Sequence, residues 1–415
     1  MRVGIEKIDL YGGRARLRIG ELAAARGGTL DELTRRQLVP YETRAIIPPY
    51  EDAVTLAVNA AQRLLSEEDR ADIELIVVAT ESAVDFGKPI STWVQRFCGL
   101  PAHSRSFEVK HMCYGGTAAL RVASSWVLSG VRPGKKALVI NADLSRTRNH
   151  VQTEADDLGE LMAGGSAVAM LVGAEPAILE LEPEKAGYWT NEISDALRPN
   201  SRTEIITGTT SFYSYLDALE ETYDRYEQVV GEIDLETYFA RHIFHAPFPG
   251  MTKIAHRTLL NRVGIEDPIA IEESYQARVA ASVHFIRRIG SAYGGSTFIC
   301  LLGLLQAGSE LAGGERLSVF AYGSGCQAEF YSGLLGPAAQ ARVRALGIDE
   351  HLDSRLELSV DQYEQIEKAC ESDIDQPSFQ PLAQDAGDLY AQRYDGQRLL
   401  VLDEVRDWYR SYRWS

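Results

Sequence analysis

Cys113 lies at a junction between two kinds of element, a position that suits a reactive thiol. It follows the apolar run RSFEVK (105–110) and precedes the helical pattern TAALRVASSWVLSG (117–130). Unpaired backbone N–H groups and the positive end of a helix dipole at such a junction favour the thiolate. Gly115 and Gly116 leave room for an acyl group to approach the sulfur. The sequence therefore predicts that Cys113 is a nucleophile that forms a thioester.

The remaining cysteines and the HxxH pair indicate no other reactive centre. Cys98, Cys300 and Cys370 lie within apolar patterns, where cysteine commonly serves as a small buried side chain. The five cysteines are widely spaced without a CxxC pair, so we expect a reducing compartment and neither a disulfide framework nor a zinc site. His242 and His245 form HxxH without an evident third ligand, so no metal is expected.

Two other residues have side chains suited to proton transfer. Glu81 directly follows the apolar run ELIVVAT (74–80), and α/β proteins place functional groups at the carboxyl ends of buried strands. Partial burial would raise its pKa and make it a general base. His245 precedes a Pro-Phe-Pro-Gly turn, where an imidazole can donate a proton near neutral pH. His111, two residues before Cys113, is a competing candidate for the base.

A glycine-rich turn follows a strand pattern in the second half of the chain. YGSGCQA (322–328) has the GxGxxA spacing of a dinucleotide-binding motif, but no long helix follows it. We interpret the turn as a set of backbone N–H donors, with Gly323 and Ser324 at an oxyanion site. Ser291 and Tyr293 are expected to line the same cavity.

Two basic clusters contrast with an acidic chain. Lys253 and Arg257 lie on the helical pattern MTKIAHRTLLNR (251–262), and Arg35 and Arg36 form the second cluster. Such clusters can bind phosphate or an acidic carrier, whereas an ordinary solvated helix face is the alternative for each residue.

The elements that must position these residues alternate in type along the chain. Strand patterns and helical patterns occur in turn, namely strands at 74–80, 105–110, 135–143 and 166–173 and helices at 54–65 and 117–130. This alternation predicts βαβ units in an α/β fold with a mostly parallel, covered sheet.

An internal repeat divides the chain into two similar halves. CYGGT (113–117) and AYGGS (292–296) lie 179 residues apart, and each opens an apolar helix. Strand patterns follow both in the same order, which favours a repeat over the alternative that YGG is merely a turn. We predict halves at 1–175 and 176–415, facing each other about a pseudo-twofold axis, with an insertion near 185–235.

Charge and hydropathy exclude several classes of function. The 415 residues include 42 Lys and Arg against 59 Asp and Glu, a formal net charge of −17. Such a surface repels nucleic acid and anionic lipid, so neither is an expected partner. No apolar run approaches the roughly 20 residues that span a bilayer. The first residues, MRVGIEKIDLYGG, are typical of a strand and not of a signal peptide, so we expect a cytoplasmic protein.

Together these segments resemble the 3-hydroxy-3-methylglutaryl synthases of the thiolase superfamily. The resemblance is carried by segments in the family's order: YEDAVTLAVNAA (50–61), ATES (79–82), KHMCYGGTAAL (110–120), FHAPFPGMTK (244–253) and AYGSGCQAEF (321–330). It implies a thiolase-like fold of five αβαβα layers. It also implies that Cys113 accepts the acyl group, that Glu81 is the general acid/base and that His245 orients or protonates the acceptor.

Finer similarity is to the bacterial synthases that introduce β-branches during polyketide assembly. It implies an aldol addition of Cys-bound acetyl to a β-ketoacyl chain, with donor and acceptor acyl carrier proteins as partners, and a homodimer. No bound cofactor is implied; the phosphopantetheine arm of a carrier, or coenzyme A, brings the substrate, and the two basic clusters are its candidate contacts. Ser291 stands where the family commonly has Asn, which leaves acceptor specificity open.

Three alternative functions remain at this stage. The chain could act on coenzyme A thioesters as a 3-hydroxy-3-methylglutaryl-CoA synthase. It could instead perform Claisen chemistry as a ketoacyl synthase or thiolase. The third alternative is a non-catalytic protein that docks carriers.

Overall fold

The structure is a computed structural model that describes residues 1–29, 41–145 and 156–415. Its strands are β1 Gly4–Tyr11, β2 Ala15–Arg18, β3 Thr43–Ile46, β4 Ile73–Ala79, β5 Arg105–Val109, β6 Lys136–Leu144, β7 Gly165–Gly173, β8 Leu179–Thr190, β9 Ala196–Leu197, β10 Ile205–Ile206, β11 Arg241–Phe244, β12 Arg316–Gly323, β13 Gln327–Leu335, β14 Leu356–Glu357, β15 Leu400–Arg406 and β16 Tyr409–Trp414. Its α-helices are α1 Ile19–Ala25, α2 Ala53–Leu64, α3 Glu67–Asp72, α4 Ile90–Phe97, α5 Gly115–Leu128, α6 Asp156–Met162, α7 Gly208–Val230, α8 Leu235–Tyr238, α9 Pro249–Arg262, α10 Pro268–Arg278, α11 Ile286–Ile289, α12 Gly295–Ala307, α13 Ala339–Arg344, α14 Ile348–Asp353, α15 Val360–Asp373 and α16 Leu389–Arg393.

The main sheet is mixed, not mostly parallel as the alternation of elements predicted. Its nine strands follow the order β11-β12-β13-β8-β1-β7-β6-β4-β5. Parallel pairing is limited to β4 with its two neighbours and to β11 with β12. The central strands pair antiparallel because β7 and β13 return directly beside β6 and β12. The parallel parts are those that carry Glu81 and His245 at their carboxyl ends.

Strand order repeats between the two parts of this sheet. The order β1-β7-β6-β4 matches β8-β13-β12-β11, strand for strand in sequence. The helices α5 and α12 begin 180 residues apart, and so do β6 and β12. The two YGG motifs of the sequence lie 179 residues apart, one residue fewer than the offset of these elements. The division into halves at 1–175 and 176–415 stays a prediction.

The segment 185–235 is a part of the repeat and not the predicted insertion. It holds the end of β8, the β9–β10 hairpin and α7. Helix α7 packs against β8 and β13, as α2 packs against β1 and β7. Each helix therefore covers the outer face of its own part of the sheet.

Helices α5 and α12 lie between the two parts of the sheet. Helix α5 contacts β4, β6 and β7, whereas α12 contacts β11 and β12 and also reaches β6 and β7. With α2 and α7 outside, this gives the predicted αβαβα order. Most side chains of α12 are buried, because it is covered on all sides. Among the described helices, none has both the length and the apolarity needed to cross a membrane.

The C-terminal segment folds back onto the first half of the chain. Strand β14 joins β2 and β3 in a small sheet. The hairpin β15–β16 packs on α2, where the buried Asn59 side chain bonds the main chain of Leu400 in both directions. The buried cluster beneath these elements combines residues 15–50 and Leu161 with residues 358–401. The last 80 or so residues therefore stabilise the half that carries Cys113.

Candidate active site

A single cavity brings together five residues that the sequence analysis selected. The cavity has a volume of about 270 Å³ and a mainly apolar wall. Its lining includes the following predicted residues: Cys113, His245, Ser291, Tyr293 and Ser324. A mostly apolar space with a few polar groups is typical of a small-molecule site.

Cys113 lies in a single 3₁₀ turn, Met112–Tyr114, that leads into α5. The N-termini of α5 and α12 meet beside it, and glycines make this approach possible. A Cβ on Gly116 would lie 2.5 Å from Asn141 Oδ1, and one on Gly294 would lie 2.8 Å from the Cys113 carbonyl oxygen. Gly116 and Gly294 are therefore required where the two helix starts meet, whereas Gly115 and Gly295 have only ordinary contacts.

The thiol of Cys113 is surrounded by acids, which the sequence analysis did not foresee. Burial raises its pKa well above the usual value, and the negative charges of Asp143, Glu81 and Glu204 raise it further. The expectation of a stabilised thiolate is therefore wrong for the free protein. Burial is the largest cause, and carboxylates from three separate segments act in the same direction. The other four cysteines are fully buried, as predicted for three of them.

Glu81 lies two residues after the end of β4, and its side chain is next to Met112, the residue before Cys113. Burial raises the pKa of its carboxyl to about 7, and the charge of Asp143 contributes to this rise. The carboxyl also accepts a hydrogen bond from the Met112 N–H, which lowers the pKa. The Glu81 N–H donates to Asp143 Oδ1 over 2.7 Å, and Arg198 Nη1 donates to the Glu81 carbonyl over 2.6 Å. Glu81 is not part of the cavity wall, but its charge acts on Cys113.

Asp143, at the end of β6, is a buried acid that the sequence analysis missed. It accepts hydrogen bonds from Thr80 Oγ1, Ser82 Oγ and Asn141 Nδ2 in addition to Glu81. Burial nevertheless raises its pKa to about 7. The rule that selected Glu81, an acid at the carboxyl end of a buried strand, applies equally to KKALVINAD (135–143).

His245 follows β11 and is held from three directions. Its main-chain N–H donates to the Phe320 carbonyl over 2.8 Å, and its own carbonyl accepts from Tyr215 Oη over 2.8 Å. Ring atom Nδ1 lies 2.7 Å from Ser296 Oγ. Burial lowers the pKa of the ring to about 3, so the imidazole is neutral near pH 7.

The two other histidines considered as partners lie apart from this cavity. His242 Nδ1 lies 2.7 Å from Ser318 Oγ, and its ring is tilted against that of His256 with a centroid distance of 5.3 Å. His111 is half-buried beside Tyr114 and does not line the cavity. Within the described ranges, no three His, Cys, Asp or Glu side chains are placed to hold a metal ion.

The turn after β12 is fixed by Asp195 and differs from the expected oxyanion site in two respects. Asp195 accepts hydrogen bonds from Tyr322 Oη and from the Gly325 N–H, so this N–H is already used. Gly323 does not line the cavity, since a Cβ there would lie 2.5 Å from the Tyr114 nitrogen. Ser324 does face the cavity.

Tyr293 and Ser291 line the cavity from the loop before α12. Tyr293 has φ of 44°, and its hydroxyl donates to both carboxylate oxygens of the buried Glu204 at 2.9 and 3.0 Å. The Ser291 N–H donates to the Met162 carbonyl. Glu204 had no signal in the sequence, because its partner is 89 residues away.

The basic residues are not part of the cavity. Lys253 and Arg257 lie one turn apart on the exposed face of α9, and Lys253 Nζ pairs with Glu272 over 2.6 Å. Arg35 and Arg36 lie outside the described residues.

Comparison with protein-family models gives two matches. Residues 42–177 match the N-terminal model of hydroxymethylglutaryl-coenzyme A synthase, and residues 257–412 match the C-terminal model. The chain belongs to the hydroxymethylglutaryl-CoA synthase family. The resemblance read from the sequence motifs is therefore confirmed. His245 falls between the two matched segments.

Relatives of this synthase family cover the whole chain. The polyketide biosynthesis 3-hydroxy-3-methylglutaryl-ACP synthase PksG of Bacillus subtilis is 36% identical over 99% of both chains. The hydroxymethylglutaryl-CoA synthase of Enterococcus faecalis is 33% identical over 91% of this chain and 94% of its own. The HMG synthase of the curacin biosynthetic pathway, solved with holo donor-ACP, has a TM-score of 0.93 and 35% identity over both full chains. The thiolase-like fold is thus confirmed.

Proposed function

We propose that this synthase adds an acetyl group, carried on Cys113, to the β-ketone of a β-ketoacyl-carrier-protein thioester during polyketide β-branching. The observation that carries the proposal is the shared cavity. A thiol and an imidazole face one apolar space, and the Glu81 carboxyl, whose pKa is about 7, accepts from the main-chain N–H of Met112 next to the thiol. Carbon–carbon bond formation between two thioesters needs these three groups together.

In the first step the Cys113 sulfur attacks the acetyl carbonyl of a donor thioester. The thiol proton leaves for the departing donor sulfur, and the acetyl group stays on Cys113. The Cys113 N–H and the Ser324 part of the turn after β12 supply hydrogen bonds to the developing oxyanion. A high pKa keeps the thiol protonated in the free protein, which protects it from oxidation until a substrate arrives.

In the second step ionised Glu81 removes a proton from the methyl group of acetyl-Cys113. The enolate carbon then attacks the ketone carbon of the acceptor chain. His245 is neutral and orients the ketone oxygen, and the resulting alkoxide receives the proton that Glu81 holds. Water then cleaves the Cys113 thioester, which leaves a 3-hydroxy-3-carboxymethyl group on the acceptor and restores the thiol.

Acyl carrier proteins are the proposed donor and acceptor. The curacin synthase, which resembles this chain along its full length, has been solved with apo, holo and acetyl donor-ACP. The exposed basic face of Lys253 and Arg257 on α9 suits an acidic carrier, and Met251 of the same helix lines the cavity. We also propose that the protein forms a homodimer. Arg35 and Arg36 are proposed as further contacts for the carrier.

Substitution of Glu81 separates the two chemical steps. Glu81→Gln should load acetyl on Cys113, seen as an added acetyl mass on the intact protein, but should lose at least about a hundredfold in condensation because no carboxylate removes the methyl proton. Cys113→Ser should block loading. Asp85→Asn, an exposed acid four residues further on, serves as the matched control. Normal condensation by Glu81→Gln would overturn the assigned role.

Offering the substrates on different carriers decides between the alternatives. With acetyl-loaded and acetoacetyl-loaded carrier proteins, the acceptor should gain the mass of one acetic acid. A Claisen enzyme would instead release a thiol and extend the chain without that carboxylate. Faster turnover with the coenzyme A thioesters would support the coenzyme A alternative, and no acetyl loading from either carrier would support a docking protein.

A further inference from the structure

We propose that Ser296 is a positioning residue that fixes the His245 ring in the tautomer with its proton on Nε2. The inference rests on the proposed function for its catalytic meaning, but the tautomer itself is a property of the free protein. It can therefore be observed in the wild-type protein without any substrate.

The contact between Ser296 and His245 joins the start of α12 to the end of β11. His245 leaves the carboxyl end of β11, and Ser296 is the second residue of α12, with its side chain fully buried. The distance between Ser296 Oγ and His245 Nδ1 is 2.7 Å. One side of the ring therefore faces the serine, while the residue also lines the Cys113 cavity.

Counting hydrogen bonds assigns the donor in this pair. The Ser296 oxygen already accepts from the Ala246 N–H over 3.2 Å. A hydroxyl has a single proton, and in the described part of the chain its only acceptor is His245 Nδ1. If Nδ1 carried the proton instead, the buried hydroxyl proton of Ser296 would have no acceptor.

The assigned tautomer has a direct consequence for the acceptor. With Nδ1 accepting from Ser296, the neutral ring carries its one proton on Nε2. That N–H is free to donate to a ketone oxygen and to the alkoxide that forms from it. The opposite tautomer would present a lone pair to the same oxygen and repel it. Ser296 thereby sets His245 as a donor and not as a base.

Nitrogen-15 NMR of histidine-labelled wild-type protein tests the tautomer directly, with His245→Gln used to assign the signal. The expected spectrum shows a protonated Nε2 and an unprotonated Nδ1 for His245. In Ser296→Ala the Nδ1 signal should shift as its hydrogen bond is lost, and Ser296→Thr should restore it. A protonated Nδ1 in the wild type would overturn the inference.

Kinetics test the consequence and include a matched control. Ser296→Ala should lower kcat for condensation by at least about tenfold, while acetyl loading of Cys113 changes less than about twofold. Thr297→Val removes a neighbouring buried hydroxyl that has no partner in the described residues, and should leave both steps unchanged. Condensation by Ser296→Ala at the wild-type rate contradicts the inference. Failure of the wild type to load acetyl would defeat the proposed function and leave the NMR result intact.

Discussion

Glu81 and Asp143 are two carboxyl groups that share one buried environment at the ends of neighbouring strands. Each has a pKa raised to about 7 by burial, and the charge of Asp143 contributes to the shift of Glu81. The same two charges raise the pKa of Cys113. These two acids therefore influence the protonation state in which Glu81 and Cys113 begin each step.

This environment predicts the pH dependence of condensation. Proton removal from acetyl-Cys113 requires ionised Glu81, so the condensation rate should rise as pH increases through about 7. Asp143→Asn removes a negative charge, which lowers the pKa of Glu81 and moves this rise to lower pH. Single-turnover rates of pre-acetylated protein between pH 5.5 and 8.5, a range of roughly three units about that pKa, provide the measurement. Asp85→Asn is the control, and an unmoved profile in Asp143→Asn would contradict the assignment.

At the scale of elements, the site is built where the ends of strands meet the starts of helices. Glu81, Cys113 and His245 could be found in the sequence because each stands at such a boundary, and local patterns mark boundaries. Ser296 and Asp195 could not, because a serine in a helix or an acid in a loop has no local signal. Their partners, His245 and Tyr322, lie 51 and 127 residues away and become neighbours only in the folded chain.

The contact between the starts of α5 and α12 should be sensitive to one methyl group. A Cβ on Gly294 would lie 2.5 Å from Asn141 Oδ1 and 2.8 Å from the Cys113 carbonyl oxygen. Gly294→Ala should therefore lower the free energy of unfolding by about 1–3 kcal/mol and slow acetyl loading, because Cys113 must shift. Urea denaturation and acetyl loading measure the two effects. Gly28→Ala, whose nearest contact is an ordinary 3.5 Å, should change neither.

At the scale of the molecule, the repeat predicted the repeated strand order of the fold better than it predicted where the C-terminal segment packs. Matching segments in both halves indicated two similar α/β halves, because a repeated order of strand and helix constrains topology strongly, and the family resemblance implied the αβαβα layers. The sequence did not show that residues after 338 pack on the first half, since the aromatic tail resembles no earlier segment. Tyr394 donates to the buried Glu51 over 2.7 Å, a contact across 343 residues that no local pattern encodes.

The docking of this tail predicts a stability effect far from the cavity. Leu400 N–H donates to Asn59 Oδ1 over 2.8 Å, and Asn59 Nδ2 donates to the Leu400 carbonyl over 3.2 Å, all within the core. Asn59→Ala leaves both main-chain groups buried without a partner, so the free energy of unfolding should fall by about 2–4 kcal/mol.

Urea denaturation measures that loss, and limited trypsin digestion reports on the tail itself. The C-terminal hairpin of Asn59→Ala should be cleaved sooner than that of the wild type, because the tail opens before the rest of the fold. Asn200→Ala, the same change at an exposed asparagine whose Oδ1 accepts from the N–H groups of Arg202 and Thr203, should cost less than about 1 kcal/mol. Equal stability of the two variants would show that the hairpin is not held by Asn59.

The tail is not expected to affect the chemistry, because its described residues form no hydrogen bond or ion pair with Cys113 or His245. Acetyl loading by folded Asn59→Ala should therefore remain within about twofold of the wild-type rate. This result separates a stabilising role of Asn59 from a catalytic one.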